Sequence, residues 1–211
     1  MSTTPPAEFD FPLSFAGPDG LGDSSFDDVA EAERPDVCDE GDDPALALRR
    51  TLGMFATGVT VITTLKGGQV HGMTANAFMS VSLDPPLVVV SLANTCRLNS
   101  LLPASGRYGV SVLSESQEPL SRHFAAQGTR MVSEIPFVWR DEIPLLEGAL
   151  TLLVCTVVDS HPAGDHTLYV GRVEHLEYSN GSPLVFYTGE YGRLDVQLWD
   201  HSYIWKPDPW T

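Results

Sequence analysis

Three stretches of this sequence combine side chains that could do chemistry. The first is 72–86, GMTANAFMSVSLDPP, where Gly72, Ala75 and Ala77 sit among Thr74, Asn76, Ser80 and Ser82, with no charge before Asp84. Small residues let a flat ligand approach the backbone, and hydroxyl and N–H groups then offer it donors. The same composition also suits a packed strand closed by a tight turn at Asp84-Pro85-Pro86. The second stretch is 93–97, ANTCR, directly after the apolar run LVVVSL. A strand that enters a polar turn and then a short helix aims backbone N–H groups at one point, a common way to hold a phosphate. Arg97 could add the counter-charge, or Asn94 and Thr95 could do no more than cap the helix. The third is Gly164-Asp165-His166. An acid beside a turn histidine can fix its tautomer and present it to a cleft, although the tripeptide reads equally well as an ordinary hairpin turn.

Other chemistries find less support. His71, His123, His161, His175 and His201 show no HxH or HxxxH spacing, so no metal site is expected. Cys38, Cys96 and Cys155 form no CxxC, which fits free thiols in a reducing cytoplasm. There is no GxGxxG, P-loop or internal repeat.

The 211 residues allow one large domain or two small ones. The net charge of −16 is uneven: residues 1–43 hold thirteen of the 28 acids and one of the 12 bases, Arg34. That segment reads as an acidic, mostly disordered tail, either a solubilising leader or one whose Phe9, Phe11, Leu13 and Phe15 dock on a partner subunit. The remainder is only mildly acidic and has no basic footprint, so no nucleic-acid partner is expected. No apolar run reaches the ~18 residues of a membrane span, and no signal peptide is expected.

The elements that must position the three stretches follow from pattern. Asp43 and Pro44 start a helix, with apolar residues 48, 52 and 55 forming one buried stripe and an end near Gly58. Strands are expected at 59–65 and 70–74, around the turn Lys66-Gly67-Gly68, and at 87–92, central because apolar on both faces. A short helix at about 98–104, a strand at 108–113 and a helix at 117–127 with Leu120 and Phe124 inward come next. Strands at 137–140, 150–160, 167–178 and a final one at 183–187 complete the chain, with 161–166 joining the two long ones. About eight strands and three helices without a βαβ repeat predict a mainly β, antiparallel barrel with peripheral helices.

Five pieces together resemble the flavin reductase family, an FMN-binding, Greek-key split barrel. They are FATGVTVITT (55–64), GMTANAFMSVSLDPPLVVVSL (72–92), GVSVLSESQ (109–117), GDHTLYVGRV (164–173) and, more loosely, PLVFYTGEY (183–191). The resemblance implies a cytoplasmic NAD(P)H:flavin oxidoreductase over 44–194, between the acidic tail and an aromatic extension, 195–211. FMN or FAD would be reduced by NADH or NADPH. Reduced flavin would diffuse to a flavin-dependent monooxygenase component. The protein would be a homodimer with each flavin near the subunit boundary.

The resemblance also assigns residues. Thr57, and Thr74, Ala75, Asn76 and Ala77 along the isoalloxazine and ribityl chain, would bind flavin, the latter four largely through backbone groups. Ser80 and Ser82 lie in the strand beyond. Ser91, Ala93, Thr95, Cys96 and Arg97 would wrap the ribityl and phosphate end. Asp165 and His166 would meet the nicotinamide, His166 serving catalysis by positioning it. Cys96 and Leu98 stand where the family often has Ser and Thr, so two hydroxyl donors are missing, and this leaves FMN against FAD open. No Arg cluster awaits a 2′-phosphate, which favours NADH. The end from Trp199 to Trp210 is expected to strap a neighbouring subunit rather than form a lid. Two other readings stay open: a flavoenzyme that keeps its flavin and acts on an organic substrate, and a non-enzymatic flavin or haem binder.

Overall fold

The structure, a computed structural model, describes residues 43–126 and 135–194. The expectations for the acidic tail and for the aromatic end lie outside those residues.

Helix α1 (Pro44–Gly53) starts where expected, with the Asp43 side chain accepting from the Ala45 N–H at 3.1 Å. Two expectations for it fail. It ends at Gly53, not near Gly58, and the 48/52/55 stripe is not buried: Leu48, Leu52 and Phe55 are 59, 62 and 76 % exposed. Periodicity reports that a face is apolar, not what covers it.

The chain continues through β1 (Thr57–Gly58), β2 (Thr60–Lys66) and β3 (Gln69–Ala75). Gly67 and Gly68, at φ 59° and 74°, make the left-handed two-residue turn that joins the last two. Next come β4 (Phe78–Leu83), β5 (Pro86–Ala93), α2 (Arg97–Ser105), β6 (Arg107–Val112), a 3-10 turn and α3 (Glu118–Ala125). After the undescribed 127–134 follow β7 (Phe137–Arg140), β8 (Ile143–Leu146), β9 (Thr151–Ala163), β10 (His166–Tyr178), β11 (Leu184–Tyr187) and β12 (Glu190–Arg193). The count of eight strands was low: β1, β8 and β12 were not foreseen as strands, and β4 only as the strand holding Ser80 and Ser82. Residues 161–163 extend β9, leaving only Gly164 and Asp165 as the turn.

All pairings are antiparallel, and seven strands form one sheet in the order β3-β2-β6-β9-β10-β5-β4. β5 is therefore second from an edge rather than central, although paired on both sides. Its alternate residues Val88, Val90 and Leu92 are buried while those between them are half-buried. The two edge strands, β3 and β4, are consecutive in the chain and separated only by Asn76-Ala77. Three Cα steps span at most ~11 Å, so the two edges of the sheet must lie side by side. The sheet is thus curled into a barrel with a split between β3 and β4.

Its interior confirms the closure. Ile62, Ala75, Val90, Leu92, Tyr108, Val110, Cys155 and Tyr169, from β2, β3, β5, β6, β9 and β10, meet in one cluster, and α2 adds Leu98 and Leu102. A second cluster, around Val61, Leu113, Phe124 and Leu184, lies under α3 and the small β1-β11-β12 sheet. A third, of Ile143, Leu145, Leu152 and Val154, lies under the β7–β8 hairpin. Among the described residues no helix is long and apolar enough to cross a membrane.

Candidate functional site

The site is assembled by the pairing of β5 with β10. Ala93 stands opposite His166, Leu92 opposite Thr167 and Ser91 opposite Leu168. Two of the three chemically promising stretches, some seventy residues apart in the chain, therefore reach the same end of the same ladder. The Asn94 N–H donates to the Asp165 carbonyl at 2.8 Å and extends the pairing into the turn. The third stretch joins from the other side: the Ser91 N–H donates to the Ala77 carbonyl at 3.0 Å, which sets the Asn76-Ala77 bend beside β5.

His166 is half-buried, and its Nδ1 lies 2.7 Å from Asp165 Oδ1. A carboxylate only accepts, so in the neutral ring Nδ1 carries the proton and Nε2 carries the lone pair. The hydrogen bond from His166, and then its charge, hold the Asp165 carboxyl below its ordinary range.

At the head of α2, the Cys96 sulfur accepts from the Asn99 N–H at 3.4 Å. The helix cap is thus Cys96 and not Asn94 or Thr95. Thr95 and Arg97 are exposed, and among the described residues no carboxylate pairs with Arg97. Its charge reaches His71 on β3, whose pKa is lowered by burial first and by Arg97 second. Arg97 thus offers an exposed cation beside the head of α2, which suits an anion, while the ionised Asp165 lies across the ladder with His166.

Around Gly72 the structure favours the packed-strand alternative. A Cβ at Gly72 would stand 2.7 Å from Phe124 Cε1, so the room there is taken by the protein's own ring. The Thr74 hydroxyl donates to the Ser121 carbonyl at 2.6 Å, and the Ala75 methyl belongs to the barrel interior. Along 72–75 a ligand can meet only backbone, and β3 is an edge strand whose outer backbone groups have no sheet partner. Asn76 and Ala77 are exposed.

Thr57 lies three residues before Thr60, whose hydroxyl donates to the Ala75 carbonyl at 2.6 Å, and so leaves the ladder at the same end as Asn76. Its own Oγ1 is buried without a hydrogen-bond partner. An orphaned buried hydroxyl costs about 1–3 kcal/mol, which a ligand atom can relieve. Ser80 and Ser82 are not brought to the His166 turn. They face Val88 and Leu87, which in turn face Gly171 and Arg172, five and six residues along β10 from His166. At ~3.3 Å per residue that is ~17–20 Å, so a molecule touching both ends is long and lies along the strand.

The exposed Arg97, with no carboxylate partner among the described residues, the orphaned hydroxyl, the open backbone edge and the exposed Asn76 and Thr95 together fit an elongated ligand with a polar planar part and an anionic end. Sequence spacing did not single out the side chains of Asn99, Thr167 and Tyr169, or any joining role for Asn94. They link the two halves of the site, and only the β5–β10 register makes them neighbours. A shallow depression of about 90 Å³ beside Ala149, Leu152 and Tyr178 lies at the other end of β10 and is too small for such a molecule.

Residues 52–195 match the family model described as "Flavin reductase like domain". The chain is 52 % identical over 168 residues to a Rhodococcus protein named "NADH-dependent flavin reductase", covering 78 % of this chain and 91 % of that one. It is 39 % identical over 149 residues to "4-hydroxyphenylacetate 3-monooxygenase, reductase component" of Thermus thermophilus, covering 70 % and 95 %. Among solved structures, "Flavin reductase PheA2 in native state" superimposes with a TM-score of 0.69 at 44 % identity, covering 72 % of this chain and 99 % of that one.

Proposed function

The chain belongs to the flavin reductase-like family, and on that premise we propose that it transfers hydride from NADH to FMN or FAD and supplies the reduced flavin to a separate monooxygenase. One observation carries the reading: the β5–β10 register sets the cationic 91–97 segment against the Asp165-His166 turn. Support for NADH comes from relatives named as NADH-dependent, and for the monooxygenase from relatives named as reductase components.

A bound flavin supplies the hydride acceptor, so the chain needs neither nucleophile nor strong base. Its residues bind and orient. Arg97 neutralises the phosphate, with Ser91, Ala93, Thr95 and Cys96 lining that end mainly through backbone. Thr57 and the 74–77 backbone line the ring and ribityl chain, where N–H groups stabilise added negative charge. Ser80 and Ser82 bound the far part of the groove. His166, held by Asp165, turns Nε2 toward the nicotinamide and positions it for near-contact transfer.

The protein works as a homodimer in the cytoplasm. Exposed Leu48, Leu52, Met54 and Phe55 support the first, and the free Cys96 and Cys155 the second. The catalytic domain is 44–194, and 1–43 and 195–211 are appendages to it.

Anaerobic titration with NADH, FMN and FAD tests the reading. NADH consumption that saturates with added flavin is expected. Flavin that survives gel filtration while NADH oxidation stays slow would instead indicate a retained cofactor acting on an organic substrate. A bound-flavin spectrum indifferent to NADH and NADPH would reduce the protein to a binder.

A further inference from the structure

We propose that Asn94 is a positioning residue that clamps the His166 turn onto the β5–α2 segment, so that the nicotinamide half of the site is held in register with the flavin half. Its side chain makes three hydrogen bonds to the protein, one donated and two accepted. The Asn94 Nδ2 donates to the Gly164 carbonyl at 3.3 Å. Its Oδ1 accepts from Thr167 Oγ1 at 2.8 Å and from Asn99 Nδ2 at 3.4 Å. Asn99 is in turn fixed by Tyr169, whose hydroxyl donates to Asn99 Oδ1 at 2.5 Å and whose ring lies in the barrel core. With the backbone bond from Asn94 to Asp165, both carbonyls of the two-residue turn are gripped by one residue.

The turn needs such a grip. Gly164 has φ 62°, and the last β9–β6 pair is Thr156 with Arg107, so the outer part of the β9–β10 hairpin joins the rest of the sheet through β10's pairing with β5. His166 directly follows the gripped turn, and among the described residues its ring hydrogen-bonds Asp165, itself part of that turn. A carboxamide is the group that can donate to a carbonyl while accepting from two donors. Asn94 thus acts through Asp165 and His166 without touching the reacting atoms.

This inference rests on the proposed flavin reductase reading, and the test separates the two. Steady-state NADH oxidation with FMN is compared for wild type, Asn94→Ala, His166→Ala and the double variant, with flavin affinity measured by fluorescence quenching. Asn94→Ala is expected to raise the apparent KM for NADH about five- to tenfold, with flavin Kd changed less than about twofold. In the His166→Ala background it adds less than about twofold, because both changes remove one function. Asn94→Asp keeps the acceptor for Thr167 and loses the donor to Gly164, and Thr167→Val removes one donor to Asn94. Each is expected to shift KM for NADH in the same direction by less, and together they carry the test if Asn94→Ala does not fold. Effects that multiply in the double variant, or equal losses of NADH and flavin affinity, overturn the clamp. A wild-type protein that does not oxidise NADH with added flavin overturns the functional reading and the clamp with it. Turnover in wild type with all variants unchanged overturns the clamp alone.

Discussion

At the scale of single residues, the site divides into groups that hold charge and groups that hold geometry. Arg97 is the charge. Arg97→Gln is expected to weaken flavin affinity about tenfold at low ionic strength and to flatten the salt dependence of binding, read from Kd at two salt concentrations. An unchanged Kd at both would remove Arg97 from the phosphate end. His166 is the geometry. His166→Ala is expected to raise the apparent KM for NADH more than that for flavin; equal effects would count against its role. The sequence alone suggested both residues for the proposed site, Arg97 because it follows a strand-to-turn transition and His166 because its acid precedes it. The Asn94 network was not legible, since its members at 94, 99, 167 and 169 become neighbours only through strand register. Gly72 was left between two readings for a related reason: smallness shows that something comes close, and here that something is Phe124, as the packed-strand reading has it.

At the scale of elements, the β7–β8 hairpin shows how sequence signals are hidden. β8 contains Pro144, which cannot donate to a ladder and normally argues against a strand. It survives in a two-stranded sheet, and the Pro144 carbonyl accepts from the Thr63 hydroxyl. The connecting turn places Asp141 and Glu142 at φ 46° and 67° without a glycine, with Arg107 Nη1 donating to the Asp141 carbonyl at 2.8 Å. Glu142→Gly is expected to stabilise the fold by about 0.5–1 kcal/mol in urea unfolding, by relieving the left-handed conformation. Gly109 lies beneath the hairpin: a Cβ there would stand 2.6 Å from Leu145 Cδ2 and 2.7 Å from Thr63 Oγ1. Gly109→Ala is expected to cost about 1–3 kcal/mol in the same measurement.

The hairpin is also tied to β10 by charge. Arg140 and then His175 hydrogen-bond Glu177 and hold its pKa at about 2, below the ordinary 4.5. A depressed acid contributes stability that is fully present above its unfolded pKa and lost as pH falls through the folded one. The stability difference between wild type and Glu177→Gln should therefore be largest above pH 4.5 and vanish by about pH 2. A difference that grows on acidification would contradict the sign.

For the whole molecule, the sequence named the right architecture, because several pieces in one order carry more information than any single motif. It did not reveal which apolar faces stay uncovered in one chain. The stripe Leu48, Leu52 and Phe55 read as buried and is instead open, with Met54 exposed beside it. In the homodimer reading a second copy covers it, so Phe55→Glu is expected to shift the protein from dimer to monomer in analytical ultracentrifugation. A variant that stays dimeric would place the subunit contact elsewhere.

The two-residue passage from β3 to β4 carries a consequence for engineering and evolution. Because Asn76-Ala77 is the stitch that draws the first and last strands of a seven-stranded sheet together, slack introduced there would leave every ladder intact yet let the cylinder gape. Both rims, already without a sheet partner, would then also lose each other as neighbours and stand open as templates for a foreign strand. This passage is therefore an unforgiving place for an inserted loop or tag, even though its two residues lie open to water and look like an easy place to put one.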